Sequence, residues 1–140
     1  MSTAGARLAG HIRATSERLA AACTACGACY RACPTAPAIP ALADAVAEDV
    51  MAGVRDILRG GPGSLAAVAF AAACARSGLC TDACPERIDA ALLMRMANLR
   101  VRGALGDPPR VSAKEDPGWA ARVKAFARLT MSAEEQAKWL

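Results

Sequence analysis

The chain has 140 residues, a net charge of +4 and 7 cysteines. Of its 76 apolar residues 36 are Ala and only 25 are Leu, Ile, Val or Phe, below the level at which side chains alone normally build a packed core. The modest charge excludes an extended polyelectrolyte, seven cysteines cannot all pair as disulfides within one chain, and something besides side chains must help to hold the fold.

Taken in chain order, the stretch from Met1 to Leu19 lacks the charged-then-apolar order of a secretory signal peptide, and residues 1–22 read as an N-terminal helix carrying the single His11 on an exposed side. Next comes C-x2-C-x2-C-x3-C-P, formed by Cys23, Cys26, Cys29, Cys33 and Pro34. In this iron-sulfur run three closely spaced thiolates take three corners of one cubane, and the fourth cysteine turns away to a second cluster. Ala25, Gly27 and Ala28 are small enough to let the backbone curl against it, while Tyr30 and Arg31 stand where they could cover or tune it. Leu42, Val46, Val50, Val54 and Ile57 then predict a helix from Pro40 to Arg59, stopped by Gly60, Gly61 and Pro62.

A second apolar run from Ser64 to Ala73 leads into Cys74, the longest such stretch ending at Ala75 and being too short and too rich in Ala to span a bilayer. Cys74, Cys80, Cys84 and Pro85 repeat the first motif with Ser77 in place of its second cysteine. On the crossed pattern, cluster one takes Cys23, Cys26, Cys29 and Cys84, and cluster two takes Cys33, Cys74 and Cys80. Three thiolates suit either [3Fe-4S] or a [4Fe-4S] whose fourth iron meets Ser77, water or another ligand. A neutral hydroxyl is a poor substitute for thiolate, which favours [3Fe-4S].

Ile88, Leu92, Met96 and Leu99 mark a further helix, with Met94 on its surface side. Gly103 to Pro109 form a breaker-rich linker. Asp116 and Pro117 read as the start of a tail helix, Ser132 and Glu135 as the capping box of another, and Trp119, Val123, Phe126 and Trp139 give the pair an apolar side suited to a partner chain. The expected architecture is all-α, an alpha-helical ferredoxin with two iron-sulfur clusters: residues 1–22 as a helix, 23–105 as the dicluster domain and 106–140 as linker and docking tail. Arg95, Arg100, Arg102 and Arg110 lack the aromatic interleaving of a nucleic-acid surface, so no nucleic-acid partner is expected.

These motifs resemble the all-helical C-terminal ferredoxin domain of succinate dehydrogenase and fumarate reductase iron-sulfur subunits, whose second motif also reads C-x5-C-x3-C-P and holds [3Fe-4S]. They are equally similar to the small iron-sulfur subunit of heterodisulfide reductase. Only 22 residues precede Cys23, as expected of a chain without the dehydrogenase subunit's [2Fe-2S] domain, and Ala75 stands where its quinone site has a His. Over Leu19 to Arg102 the resemblance therefore implies a non-catalytic electron carrier of heterodisulfide-reductase type, cytoplasmic or peripheral to a membrane through its partners, a flavin/iron-sulfur donor and a cysteine-rich catalytic subunit. Ser77 departs from the four-cysteine second motif usual in that family. An iron-sulfur redox sensor, a quinone-linked dehydrogenase subunit and a structural zinc module are the alternatives.

Overall fold

Small side chains set how the helices pack. In the computed structural model, which describes residues 3–105, 112–116 and 118–139, every helix and 3-10 turn follows from short-range backbone hydrogen bonding, and no strand occurs among the described residues. Most of the expected linker, with Arg110 and Pro117, lies outside the described residues.

Helix α1 (Thr3–Ala22) buries Ile12, Ser16, Leu19 and Ala20 at helical spacing and leaves His11 exposed. Helix α3 (Ala47–Leu58) buries Val50, Met51, Val54, Ile57 and Leu58, and α4 (Leu65–Ala72) lies across it. A Cβ on Gly53 would stand 2.6 Å from the Ala67 Cβ, so these two helices touch backbone to backbone. The abundance of Ala thus serves close approach: dispersion contacts between near backbones replace the bulk that larger side chains would supply. Helix α6 (Ala90–Val101) completes the core against α1, α3 and α4.

Three expectations need correction. The helix predicted from Pro40 begins at Ala47. Pro40–Leu42 forms a separate 3-10 turn, and Val46 is extended and 55% exposed, because Leu42 and Val50 reach the core from different elements rather than along one stripe. Met94, expected at the surface, is buried, since α6 is flanked on several sides and Leu93, Met94 and Ala97 all face neighbours. Asp116 does not begin the tail helix α7 (Trp119–Thr130); Gly118 is the residue before it.

Three other helix starts carry side-chain caps. Ser64 Oγ accepts from Ala67 N–H at 3.1 Å, and Asp89 Oδ1 accepts from Leu92 N–H at 2.8 Å. Ser132 and Glu135 form the reciprocal capping box of α8 (Ala133–Trp139), at 2.8 and 3.2 Å.

A polar clamp ties α7 to the core. Asp116 Oδ2 accepts from Arg102 at 2.7 Å and from Arg122, while its Oδ1 accepts from Gly118 N–H at 2.9 Å. Arg122 also donates to Ala72 O at 2.8 Å, and Asn98 donates to Ala71 O at 2.8 Å, so the last carbonyls of α4 are capped from two other helices. Gly118 presses against Ala73, the neighbour of Cys74. Held this way, α7 buries Ala121, Ala125 and Ala127 and leaves Trp119 and Phe126 more than half exposed.

Burial alone would raise the Asp116 carboxyl, but hydrogen bonds from Arg122, Arg102 and Gly118 overcome it and bring the value down to about 2. A depressed carboxylate stabilises the folded state fully above its ordinary value, and that contribution is lost as the pH falls toward 2. At neutral pH, Asp116→Asn is expected to weaken the clamp by about 1–3 kcal/mol. Hydrogen exchange should then quicken about fivefold or more in α7 and remain unchanged in α3; equal protection of α7 in both proteins would refute the clamp.

Candidate metal centre

The two cysteine halves share one backbone design at an offset of 51 positions. Gly27 and Gly78, with φ of +80° and +77°, precede the short helices α2 (Ala28–Arg31) and α5 (Leu79–Ala83). Two residues before each glycine, Ala25 and Arg76 are also left-handed, at +56° and +60°. Alternating left-handed residues curl each loop tightly, at a cost of about 1–2 kcal/mol for each residue that carries a Cβ. The loop turns so sharply that Ala25 N–H points at Cys23 Sγ, 3.4 Å away. Helices α2 and α5 then pack on one another, bringing the halves face to face.

This pairing sorts the seven cysteines into two groups, each completed from the other half. Cys23, Cys26, Cys29 and Cys84 line one narrow cavity of about 20 Å³ together with Met51 and Leu93. Cys33, Cys74 and Cys80 line a second of about 270 Å³, with Ser77 on its wall. Cys26 is exposed and the other six cysteines are half-buried. Among the described residues, no three of His, Cys, Asp and Glu are gathered closely enough to ligate a single metal ion.

Burial pushes the Cys29 thiol up to about 12, and repulsion from Cys23, Cys80 and Cys26 adds to it. Burial likewise pushes Cys80 up to about 11, with Cys74 and Cys33 contributing. Cys74 is raised by burial and by Cys33, against the opposing pull of Arg76 and Arg122. At neutral pH these three are therefore thiols, and a cationic group binding among them must displace their protons. An iron-sulfur cluster fits this donor set, which is all sulfur and has a backbone amide aimed at one ligand. Gly27 leaves a space that a Cβ would close, 2.8 Å from the Ala47 Cβ.

The surroundings of the two groups differ. Arg31 donates to Cys26 O at 3.0 Å and pairs with Glu48, which neutralises the rim of the first group. Tyr30, inside the first ligand motif, packs edge-on against Phe70, with ring centroids 5.0 Å apart, and so joins the motif to the core. Around the second group stand Arg76, Arg95, Arg102 and Arg122. Ser77 lies in the exposed loop before α5, where its Oγ faces Leu79 N–H at 3.5 Å.

Two contributors escaped the sequence. Arg122 lies 48 positions beyond Cys74, and no motif links them. Thr35 sits on the wall of the larger cavity and is 1% exposed, with its hydroxyl unpartnered. Its place directly after Cys33 and Pro34 was the available signal.

Residues 22–89 match the family model described as "4Fe-4S dicluster domain". Neither the curated proteins nor the solved structures give a match. No helix among the described residues is long and apolar enough to cross a membrane.

Gly27 and Gly78 offer a matched comparison, because a Cβ on Gly78 meets nothing within 4 Å. Gly78→Ala should cost about 1 kcal/mol of left-handed strain alone. Gly27→Ala should cost about 2–3 kcal/mol through strain and collision with Ala47. Thermal unfolding of the two variants checks the order, and equal losses would contradict it.

Proposed function

We propose, on the premise of a 4Fe-4S dicluster domain at residues 22–89, that this chain is the electron-transfer subunit of a cytoplasmic oxidoreductase complex of heterodisulfide-reductase type. It relays electrons between a flavin/iron-sulfur subunit and a cysteine-rich catalytic subunit, and it is peripheral to any membrane through those partners. The observation that carries the reading is the sorting of seven cysteines into two adjacent groups, with Cys80 of the second an electrostatic neighbour of Cys29 in the first. Bound iron-sulfur clusters supply reversible one-electron chemistry, with potentials set by charge, hydrogen bonding and exposure.

Each residue then has a task. Cys23, Cys26, Cys29 and Cys84 hold a [4Fe-4S] cluster, and Cys33, Cys74 and Cys80 hold a [3Fe-4S] cluster, with Ser77 at the corner that lacks a thiolate. Phe70, Leu92 and Met94 line the second cavity and keep water from it. Trp119 and Phe126 supply exposed apolar area for a partner chain, the kind of patch that subunit contacts cover. Chemistry on an organic or sulfur substrate belongs to that partner.

A redox sensor is the second reading, favoured by one contact: the tail is hydrogen-bonded through Arg122 to Ala72, two residues before Cys74. Redox titration of the purified complex separates the two, since a sensor would pass no electrons to its neighbours.

Cluster content tests the ligand assignment. The wild-type chain should carry about 7 iron atoms. Ser77→Cys should gain about 1 and lose the paramagnetic resonance of an oxidised three-iron cluster. Cys84→Ala should keep that resonance and lose the four-iron cluster. A wild type with a full iron complement that Ser77→Cys leaves unchanged would rule out the three-iron assignment, and loss of the three-iron resonance in Cys84→Ala would rule out the crossed ligation.

A further inference from the structure

We propose that the Thr35 hydroxyl donates a hydrogen bond to a sulfur of the cluster held by Cys33, Cys74 and Cys80, an inference that rests on the two-cluster reading above. Among the described residues, the buried side-chain polar atoms without a partner are Ser16 Oγ, Thr35 Oγ1, Arg55 Nε and Arg100 Nε. Of these, the Thr35 oxygen belongs to a residue that shares a cavity wall with the cysteines of the second group. The residue is 1% exposed, so water does not satisfy its hydroxyl from the surface. A buried hydroxyl without a partner is destabilising, and a native fold keeps one where a bound group completes the bond.

The cavity offers that hydroxyl little else. Phe70, Leu92 and Met94 present no oxygen to it. Asp89, the carboxylate on the same wall, already engages Leu92 N–H and the Thr81 hydroxyl through Oδ1. Apart from Asp89 Oδ2 and the exposed Ser77 hydroxyl, the side-chain acceptors on this wall are the sulfurs of Cys33, Cys74 and Cys80, which become anionic when they bind iron. Pro34 has no N–H and a fixed φ, and it directs the chain so that Thr35 returns to the wall that Cys33 lines.

The internal repeat sharpens the assignment. At the 51-position offset Thr35 corresponds to Glu86, which lines the cavity of the other cysteine group and is exposed. An ionised carboxylate accepts hydrogen bonds and cannot donate one. The two halves therefore place a donor beside one group and an acceptor beside the other at equivalent sequence positions, two residues after the cysteine that closes each motif. Donation to sulfur stabilises the more negative, reduced state, so Thr35 raises the potential of cluster two relative to a cluster without it.

The test compares the iron-loaded wild type with Thr35→Val, which keeps the shape and removes the hydroxyl, and with Thr35→Ser, which restores the hydroxyl. Potentiometric titration monitored by electron paramagnetic resonance should show a lower midpoint for cluster two in the valine variant. The serine variant should recover toward wild type, and cluster one should not move. Electron-nuclear double resonance before and after exchange into D2O should reveal one exchangeable proton coupled to cluster two in wild type and absent in the valine variant. Where valine prevents loading, Thr35→Ala is read by the same two measurements. Loaded variants with an unchanged midpoint and unchanged proton couplings overturn the role of Thr35 and leave the two-cluster reading standing. A wild-type chain that binds no iron or sulfide overturns that reading itself.

Discussion

Thiols buried beside other thiols can ionise only if a cationic group settles among them, and this constraint shapes the rest of the chain. Cys29 and Cys80 have their proton affinities raised by burial and by neighbouring sulfurs. The side chains that act on them are other thiols and Asp89, whereas Arg76 and Arg122 help Cys74. Iron bound among these thiolates would resolve the conflict by replacing the protons, and the free energy of binding would become free energy of folding, as in other small metallo-domains. The thin inventory of large apolar residues is consistent with a fold that draws on this second source.

The helical scaffold supplies what metal binding cannot, a fixed separation between loops. Gly53 against Ala67 brings α3 and α4 into backbone contact, and the fully buried Ala71 and Ala73 carry the chain to Cys74. Larger residues at these positions would push the second cysteine loop away from the first. Asn98 and Arg122 then hold the C-terminal carbonyls of α4, so the approach to Cys74 is fastened by polar contacts from α6 and α7. A network of this kind is effective because each buried polar group in it has a partner.

Against this shared backbone design, the two halves diverge in chemistry. The first has four cysteines, a charge-neutral Arg31 and Glu48 pair at its rim, and a glycine fitted closely against Ala47. The second has Ser77 in place of a cysteine, a wider cavity, four arginines nearby and a glycine facing open space. Positive charge and hydrogen-bond donors favour a reduced, more negative cluster, whereas balanced charge does not. Duplicated geometry with unequal surroundings is a means of giving two neighbouring redox centres different properties on one small scaffold. The tail helix hydrogen-bonds to Ala72 at the entry to the second half and also packs on the 3-10 turn Ala36–Ala38 that follows the first, which joins that end of the molecule to the exposed Trp119 and Phe126.

Much of this was legible in the amino-acid order. Cysteine spacing, the Cys-Pro endings and the absence at Ser77 are local features, and local covalent spacing suffices to announce a cluster-binding loop. Helical periodicity announced α6, and the capping box announced α8, because a cap is a contact between residues three positions apart. The stripe through Val46 misled because Leu42 and Val50 are buried by different elements, a distinction that periodicity does not carry. Met94, Thr35 and the Asp116 clamp were decided by tertiary structure alone. Whether a polar or apolar side chain is buried depends on what packs against it from elsewhere in the chain. The sequence by itself determined that sulfur ligands come in two matched halves, since that is written in residue type and spacing. Only the packing of α2 against α5 decided which sulfurs share a cavity, because that grouping requires two separated loops to meet in space.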